Sequence, residues 1–230
     1  MPKRRKVAQR QVRPVMHIFC EGEKTEPLYI RRYLDANCMA YRRLCDLQVR
    51  RDLYLKMEDT VKNTPVQVVD VAVDLQGKSP DVDVFWVVYD RESEAKYSDA
   101  LHQQAHDKAA SHGIHVALTN VCFEVWLLLH KAYSTKAFNS YDDLYTNSPL
   151  KKHFPNYAKG VASTFSVTDK EIAEARRRAK KLNAASITGS GLANPRPYQL
   201  NPYTDMHLLL DGIDRFLAAE VSYRESLSGK

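Results

Sequence analysis

Met16-His-Ile-Phe-Cys-Glu-Gly-Glu-Lys-Thr-Glu26-Pro27 decides how the rest of the chain is read. The apolar run at 15–20 is too short for a helix and stops at Glu21-Gly22, as a strand does on entering a tight turn. Thr25 then stands where a helix N-cap is wanted. Glu26 and Pro27 fall in the first turn, and Leu28, Tyr29, Tyr33 and Leu34 follow at helical spacing. The reading is buried strand, glycine turn, helix. It places Glu21 at the carboxyl end of a strand, where open α/β sheets bind their ligands. A carboxylate there adds nothing to a core and is costly without a cation or donors. Glu21 is therefore the first candidate functional residue.

Outward from this unit the alternation continues. Residues 46–57 set Leu47, Val49, Leu53 and Leu55 among charged residues, broken at Arg50-Arg51-Asp52, and predict one bent strand or a short hairpin. Thr64-Pro65 opens a helix with Val66, Val69 and Val73 on one stripe. After a break at Gly77-Lys-Ser-Pro80, residues 82–88 form the most strand-like run, ending in Tyr89-Asp90-Arg91-Glu92. A helix over 98–112 stops at Gly113, a strand follows at 114–118, and an apolar helix covers 123–130. This order calls for an α/β fold with a mainly parallel sheet and right-handed crossovers. From about 133 the strand signal ends. A short helix is expected at 141–145, a turn-rich aromatic stretch at 147–160, and a helix from the capping box Thr168-x-x-Glu171 to about 185. A loop at 187–197 then leads to a last helix that Asn201 and Thr204 would cap. The expected organisation is a disordered basic arm at 1–14, an α/β domain at 15–132, and a mostly helical C-terminal region at 133–230 packed on it.

The formal net charge of +6 over 230 residues is concentrated at the start. Lys3, Arg4, Arg5, Lys6, Arg10 and Arg13 precede the first acid, an arm attracted to phosphate polymers or simply a solubilising tail. Residues 2–7 also have the composition of a nuclear import signal. No apolar run approaches the roughly 20 residues of a bilayer span. The basic start leads into polar residues rather than an apolar signal segment. A cytoplasmic chain without membrane contact is expected. Cys20, Cys38, Cys45 and Cys122 form no C-x-x-C pair and read as reduced thiols.

Asp90 and Glu92, two apart in an extended segment, point the same way. If their strand neighbours the first, Glu21, Asp90 and Glu92 meet around one ion. Magnesium is commonly held by a few carboxylates, water and substrate phosphate. Spacing alone leaves open that these are ordinary acids at loop starts. Glu124 opens a greasy helix, either as a further metal ligand or as an acid complementing the helix dipole. Glu23 and Glu26 read as solvated or capping, and Lys24 as a phosphate ligand or a surface lysine. Arg176, Arg177, Arg178, Lys180 and Lys181 form a cationic patch that tracks a nucleic-acid backbone or is merely solvated. His130 shares the apolar face of Phe123 and Trp126 and reads as a core histidine. His102 and His106 have metal-ligand spacing without a third ligand and read as a solvated helix face. Tyr198 and Tyr203 flank a proline-rich loop, to stack on unpaired bases or to pack locally.

Four ordered motifs carry a resemblance. Cys20-Glu-Gly-Glu-Lys-Thr-Glu26-Pro-x-Tyr29, Val88-Tyr-Asp90-Arg, Asn120-x-Cys-Phe-Glu124-x-Trp-Leu-Leu-Leu-His130 and Asn201-Pro-x-Thr204 together resemble the RloB-like family, over about 16–217. That family is encoded beside restriction-modification and other phage-defence genes. The first two motifs also look like a Toprim domain, the catalytic module of topoisomerases, bacterial primases and several nucleases. The resemblance implies a Toprim-like sheet, Mg²⁺ or Mn²⁺, and phosphodiester chemistry. Glu21 would be the general acid/base. Asp90 and Glu92 would hold the metal, with Glu21 and Glu124 as further candidate ligands. Lys24, Arg91 and the late cationic patch would contact nucleic acid. The implied activity is cleavage of RNA, tRNA included, or of DNA. The rival reading is a non-catalytic nucleic-acid-binding or sensor subunit that partners another defence protein. The acid pair departs from the usual Asp-x-Asp by one methylene at Glu92, and Val121 stands where the family pattern has proline.

Overall fold

In the computed structural model, described here for residues 12–60, 64–161 and 167–228, the chain folds as an α/β protein around one five-stranded sheet. The strands are β1 (Met16–Cys20), β2 (Leu55–Glu58), β3 (Val84–Asp90), β4 (His115–Asn120) and β5 (Tyr203–Thr204), in the order β2-β1-β3-β4-β5. The first four are parallel, and β5 runs antiparallel on β4. The helices are α1 (Thr25–Asn37), α2 (Met39–Asp46), α3 (Pro65–Gln76), α4 (Asp99–Ser111), α5 (Glu124–Lys131), α6 (Tyr141–Asn147), α7 (Leu150–His153), α8 (Asp169–Gly189) and α9 (Met206–Ser228).

Both faces of the sheet are buried, so its strands read as continuous apolar runs. Phe19, Phe85, Val87, Tyr89 and Leu118 pack against α3 and α4. Ile18, Cys20, Trp86, Val88 and Ala117 face the larger core, which also takes in α1, α5, α8 and α9. The alternation of β3 places Asp90 on the side of Trp86 and Val88. The C-terminal region shares this core and supplies β5.

The chain leaves β1 toward β2 in one direction and leaves β3 toward β4 in the other. The crevice between the carboxyl ends of β1 and β3 is thus the topological switch point, where such sheets take ligands. Register pairs Cys20 with Val88, so Glu21 and Asp90 emerge side by side.

Several local expectations are corrected. Residues 39–46 form helix α2, and 46–57 yields only a 3₁₀ turn at Arg51–Leu53 and the short β2. Thr25 is the first residue of α1, not its cap, and its hydroxyl accepts the Gly160 N–H at 3.1 Å. Helix α8 runs on to Gly189, into the stretch read as loop. Asn201 caps nothing: its amide bonds both backbone groups of Phe138. The Thr204 hydroxyl does accept the Met206 N–H at the start of α9, and it also bonds Thr119 on β4. Residues 1–11 of the basic arm lie outside the described residues. Arg13 pairs with Glu220 at 2.7 Å and sits over the Tyr223 ring. The four thiols are free. Among the described residues no helix is long and apolar enough to cross a membrane.

Candidate active site

At the switch point lies an open cavity of about 640 Å³. Glu21 enters it from the end of β1, Asp90 from the end of β3, Glu92 from the loop beyond, Glu26 from the first turn of α1 and Glu124 from the first turn of α5. Glu23, Lys24, Lys96, Tyr97 and Lys159 complete the rim. Residues from five separate segments reach one place because parallel strands all end on the same edge.

Gly22 makes the tight turn that delivers Glu21, and a methyl at this position would overlap Glu26 Oε2. Glu21 N–H continues the β1–β3 ladder to Val88 O at 2.8 Å, and Glu21 Oε2 accepts the Asp90 N–H at 3.3 Å. Burial raises the Glu21 acid from 4.5 to about 7. Hydrogen bonds from Tyr97 and the Asp90 backbone, and the charge of Lys96, pull the other way. Asp90 keeps part of its surface open to the cavity, yet its acid is pushed well above the usual range. Desolvation is the main cause, followed by the charges of Glu26, Glu124, Glu21 and Glu92. The Glu26 acid is raised by burial and then by Glu124. Glu124 is 1% exposed; the Tyr157 hydroxyl donates to its Oε1, while Oε2 is buried with no hydrogen-bond partner.

Glu92 lines the same cavity as Asp90 but not by the expected route. β3 ends at Asp90, and Glu92 takes a left-handed backbone, φ 57°, with its N–H on Val121 O. Its carboxylate pairs with Lys96 at 2.9 Å. Lys159 Nζ lies 3.7 Å from Glu124 Oε1. Two of the acids are thus each engaged by a lysine. Among the described residues no three His, Cys, Asp or Glu side chains already stand as a metal-holding group. The donor set nonetheless suits a hard divalent cation. It is all oxygen, it is partly desolvated, the acids of Glu21, Glu26 and Asp90 are raised, and one buried oxygen lacks a partner.

The cationic residues named from sequence do not gather here, except Lys24, which is exposed on the rim. Arg91 is buried and its guanidinium donates to Tyr198 O, Tyr97 O and Asp99, so it braces the loop. On α8, Arg176 binds Asp211, Asp214 and the Tyr33 hydroxyl. Arg177 and Arg178 pair with Glu174, Lys180 stands 3.6 Å from Asp211, and Lys181 lies over the Tyr133 ring. Acids of α9, distant in sequence, offset the patch. His130 is a core histidine: its Nε2 accepts the Tyr29 hydroxyl at 2.9 Å and its Nδ1 donates to Trp126 O. His102 corrects its reading, being fully buried, bonded to Arg91 O and stacked on Tyr89 and Tyr198. Tyr198 and Tyr203 pack locally, the latter donating to Asp205 at 2.8 Å.

An acid in a first helical turn reads as capping, so the sequence alone does not single out Glu26 for this cavity, nor Lys96, Tyr97, Tyr157 and Lys159. Lys96 and Tyr97 follow the Asp90-Arg-Glu92 cluster within one loop, a usable signal. Tyr157 and Lys159 sit in a turn-rich segment whose approach to the sheet is set only by tertiary packing.

Fold and site define an α/β protein with an acid-lined cavity at the switch point of a mainly parallel sheet. More narrowly, the chain belongs to the RloB-like protein family, whose model matches residues 16–213. No curated protein and no solved structure gives a match.

Proposed function

We propose that this chain is a divalent-metal-dependent nuclease of Toprim type, cutting RNA, tRNA included, or DNA in defence against phage. The supporting observation is the crowding of Glu21, Glu26, Asp90, Glu92 and Glu124 around one partly desolvated cavity. Such a cluster of like charges costs stability, and a cation offsets that cost. Mg²⁺ or Mn²⁺, bound by Asp90, Glu92 and Glu124, would neutralise phosphate charge and orient the attacking oxygen. Glu21, with its acid near 7, accepts a proton at Oε and returns it at neutral pH. Tyr97 and the Asp90 N–H hold its charged form in place. The defence role rests on the family resemblance, and with it comes a cytoplasmic location.

The second reading, a nucleic-acid-binding or sensor subunit without catalysis, draws on Glu92. Its left-handed backbone and its pairing with Lys96 take the second acid out of the extended Asp-x-Asp geometry. The two readings separate on purified protein incubated with tRNA, single-stranded RNA and DNA in Mg²⁺ or Mn²⁺. Wild type is expected to cut at least one of these, and Glu21→Ala to cut at least about 100-fold more slowly. Binding without cutting selects the second reading, and equal cutting by Glu21→Ala rejects the assigned role.

A further inference from the structure

Besides Lys24, two lysines stand on the rim of the acidic cavity, 63 residues apart in sequence, and neither belongs to the set read from the sequence. Lys96 Nζ lies 2.9 Å from Glu92 Oε1, and its side chain is about half exposed. Lys159 Nζ lies 3.7 Å from Glu124 Oε1 and 4.1 Å over the Tyr141 ring, and it too is half exposed. The segment carrying Lys159 is fixed on both sides of it. Before it, the Tyr157 hydroxyl donates to Glu124; after it, the Gly160 N–H donates to Thr25 Oγ1 at 3.1 Å. Gly160 has φ 75°, and a Cβ there would come within 2.9 Å of the Lys24 stem. Both the left-handed backbone and the close seat call for glycine. A lysine needs no such anchoring to be solvated; the anchoring holds its ammonium over the acids.

Among the described residues each of these lysines makes an ion pair with one acid of the cavity, and Glu124 Oε2 keeps no hydrogen-bond partner. Once a divalent ion engages Glu92 and Glu124, both ammoniums are left over the cavity without their counter-charges. Two half-exposed cations on the rim of a metal-loaded cleft suit an anion that spans it. We infer that Lys96 and Lys159 are exchangeable counter-ions that yield Glu92 and Glu124 to the metal and then hold the backbone phosphates flanking the scissile bond. This deepens the nuclease reading and rests on it.

The test uses Lys96→Gln, Lys159→Gln, their double variant and Lys159→Arg in the full chain. Affinity for a fluorescein-labelled RNA and a DNA oligonucleotide is read by anisotropy in Ca²⁺ across a salt series, and Mn²⁺ affinity by calorimetry. Each Gln variant is expected to weaken oligonucleotide binding about 5- to 10-fold and to reduce the salt slope by about 1. Mn²⁺ affinity should hold or tighten, and Lys159→Arg should restore most of the binding. Unchanged oligonucleotide affinity and slope in the double variant overturns the inference. So does loss of Mn²⁺ binding in parallel with oligonucleotide binding, which would make the lysines supports of the acids. If wild type binds neither Mn²⁺ nor oligonucleotide, the nuclease reading falls too. If wild type binds both and the variants match it, only this inference falls.

Discussion

Asp90 carries the tension of the site. It stands in the field of four other carboxylates, two of which also have raised acids. Such a residue works against the fold while it is charged. Asp90→Asn is therefore expected to stabilise the ion-free protein at pH 8 by about 1–2 kcal/mol in urea unfolding while removing cleavage. A destabilised, still active variant would show that Asp90 is held by structure rather than reserved for a ligand. Glu21 and Asp90 were legible because each follows directly on a strand-like apolar run. Glu26 was not, since an acid in a first helical turn is the usual capping pattern; only the closeness of Gly22 and the Glu124 field reveal its place.

Among the elements, α8 shows what a sequence pattern leaves open. Its run of cations reads as a nucleic-acid surface or a solvated face, and α9 returns Asp211 and Asp214 against part of it. Arg176 ties α8 to α9 and to Tyr33 of α1. Arg176→Ala is expected to cost about 2 kcal/mol, because it removes the cation that two partly buried aspartates share and leaves them only Lys180 and the Tyr33 hydroxyl, whereas Lys181→Ala should stay within about 0.5 kcal/mol. Denaturant midpoints compare the two directly; equal costs would mean the Arg176 pairs contribute nothing. The strand–helix alternation through β4 was readable because doubly buried parallel strands leave continuous apolar runs. β5 was not: two residues of antiparallel strand carry no periodicity. Helix α2 escaped because only Leu44 among its residues is buried, leaving little apolar signal.

Over the whole molecule, two groups of buried titratable residues pull stability in opposite directions. His102 and His130 are lowered from 6.5 to about 4, chiefly by burial. Their folded values lie below the unfolded one, so the unfolded chain takes up protons first. Stability is full above pH 6.5 and is lost as pH falls toward 4, by up to about 3 kcal/mol each. Burial raises Glu21 and Asp205 to about 7. The folded chain then keeps protons that the unfolded chain has released, so stability falls as pH rises from about 4 through 7. On the proposed function a divalent ion in the cavity would relieve the Glu21 contribution, not that of Asp205, which does not line it, and only above about pH 6, because below that it must first displace protons. Millimolar Mg²⁺ is expected to raise the melting temperature clearly at pH 8 and scarcely at pH 5.5. Equal shifts at both values would place the ion elsewhere.

The fold thus brings acids from separate strand ends and helix starts to one crevice, and on the proposed function a cation would offset their mutual repulsion. A crystal soaked in Mn²⁺ and recorded at the manganese edge tests this most directly. The account predicts an anomalous peak within about 2.5 Å of Asp90, with Glu92 or Glu124 turned onto it and the paired lysine released. A crevice without such a peak, in which Lys96 and Lys159 still hold Glu92 and Glu124, would contradict it.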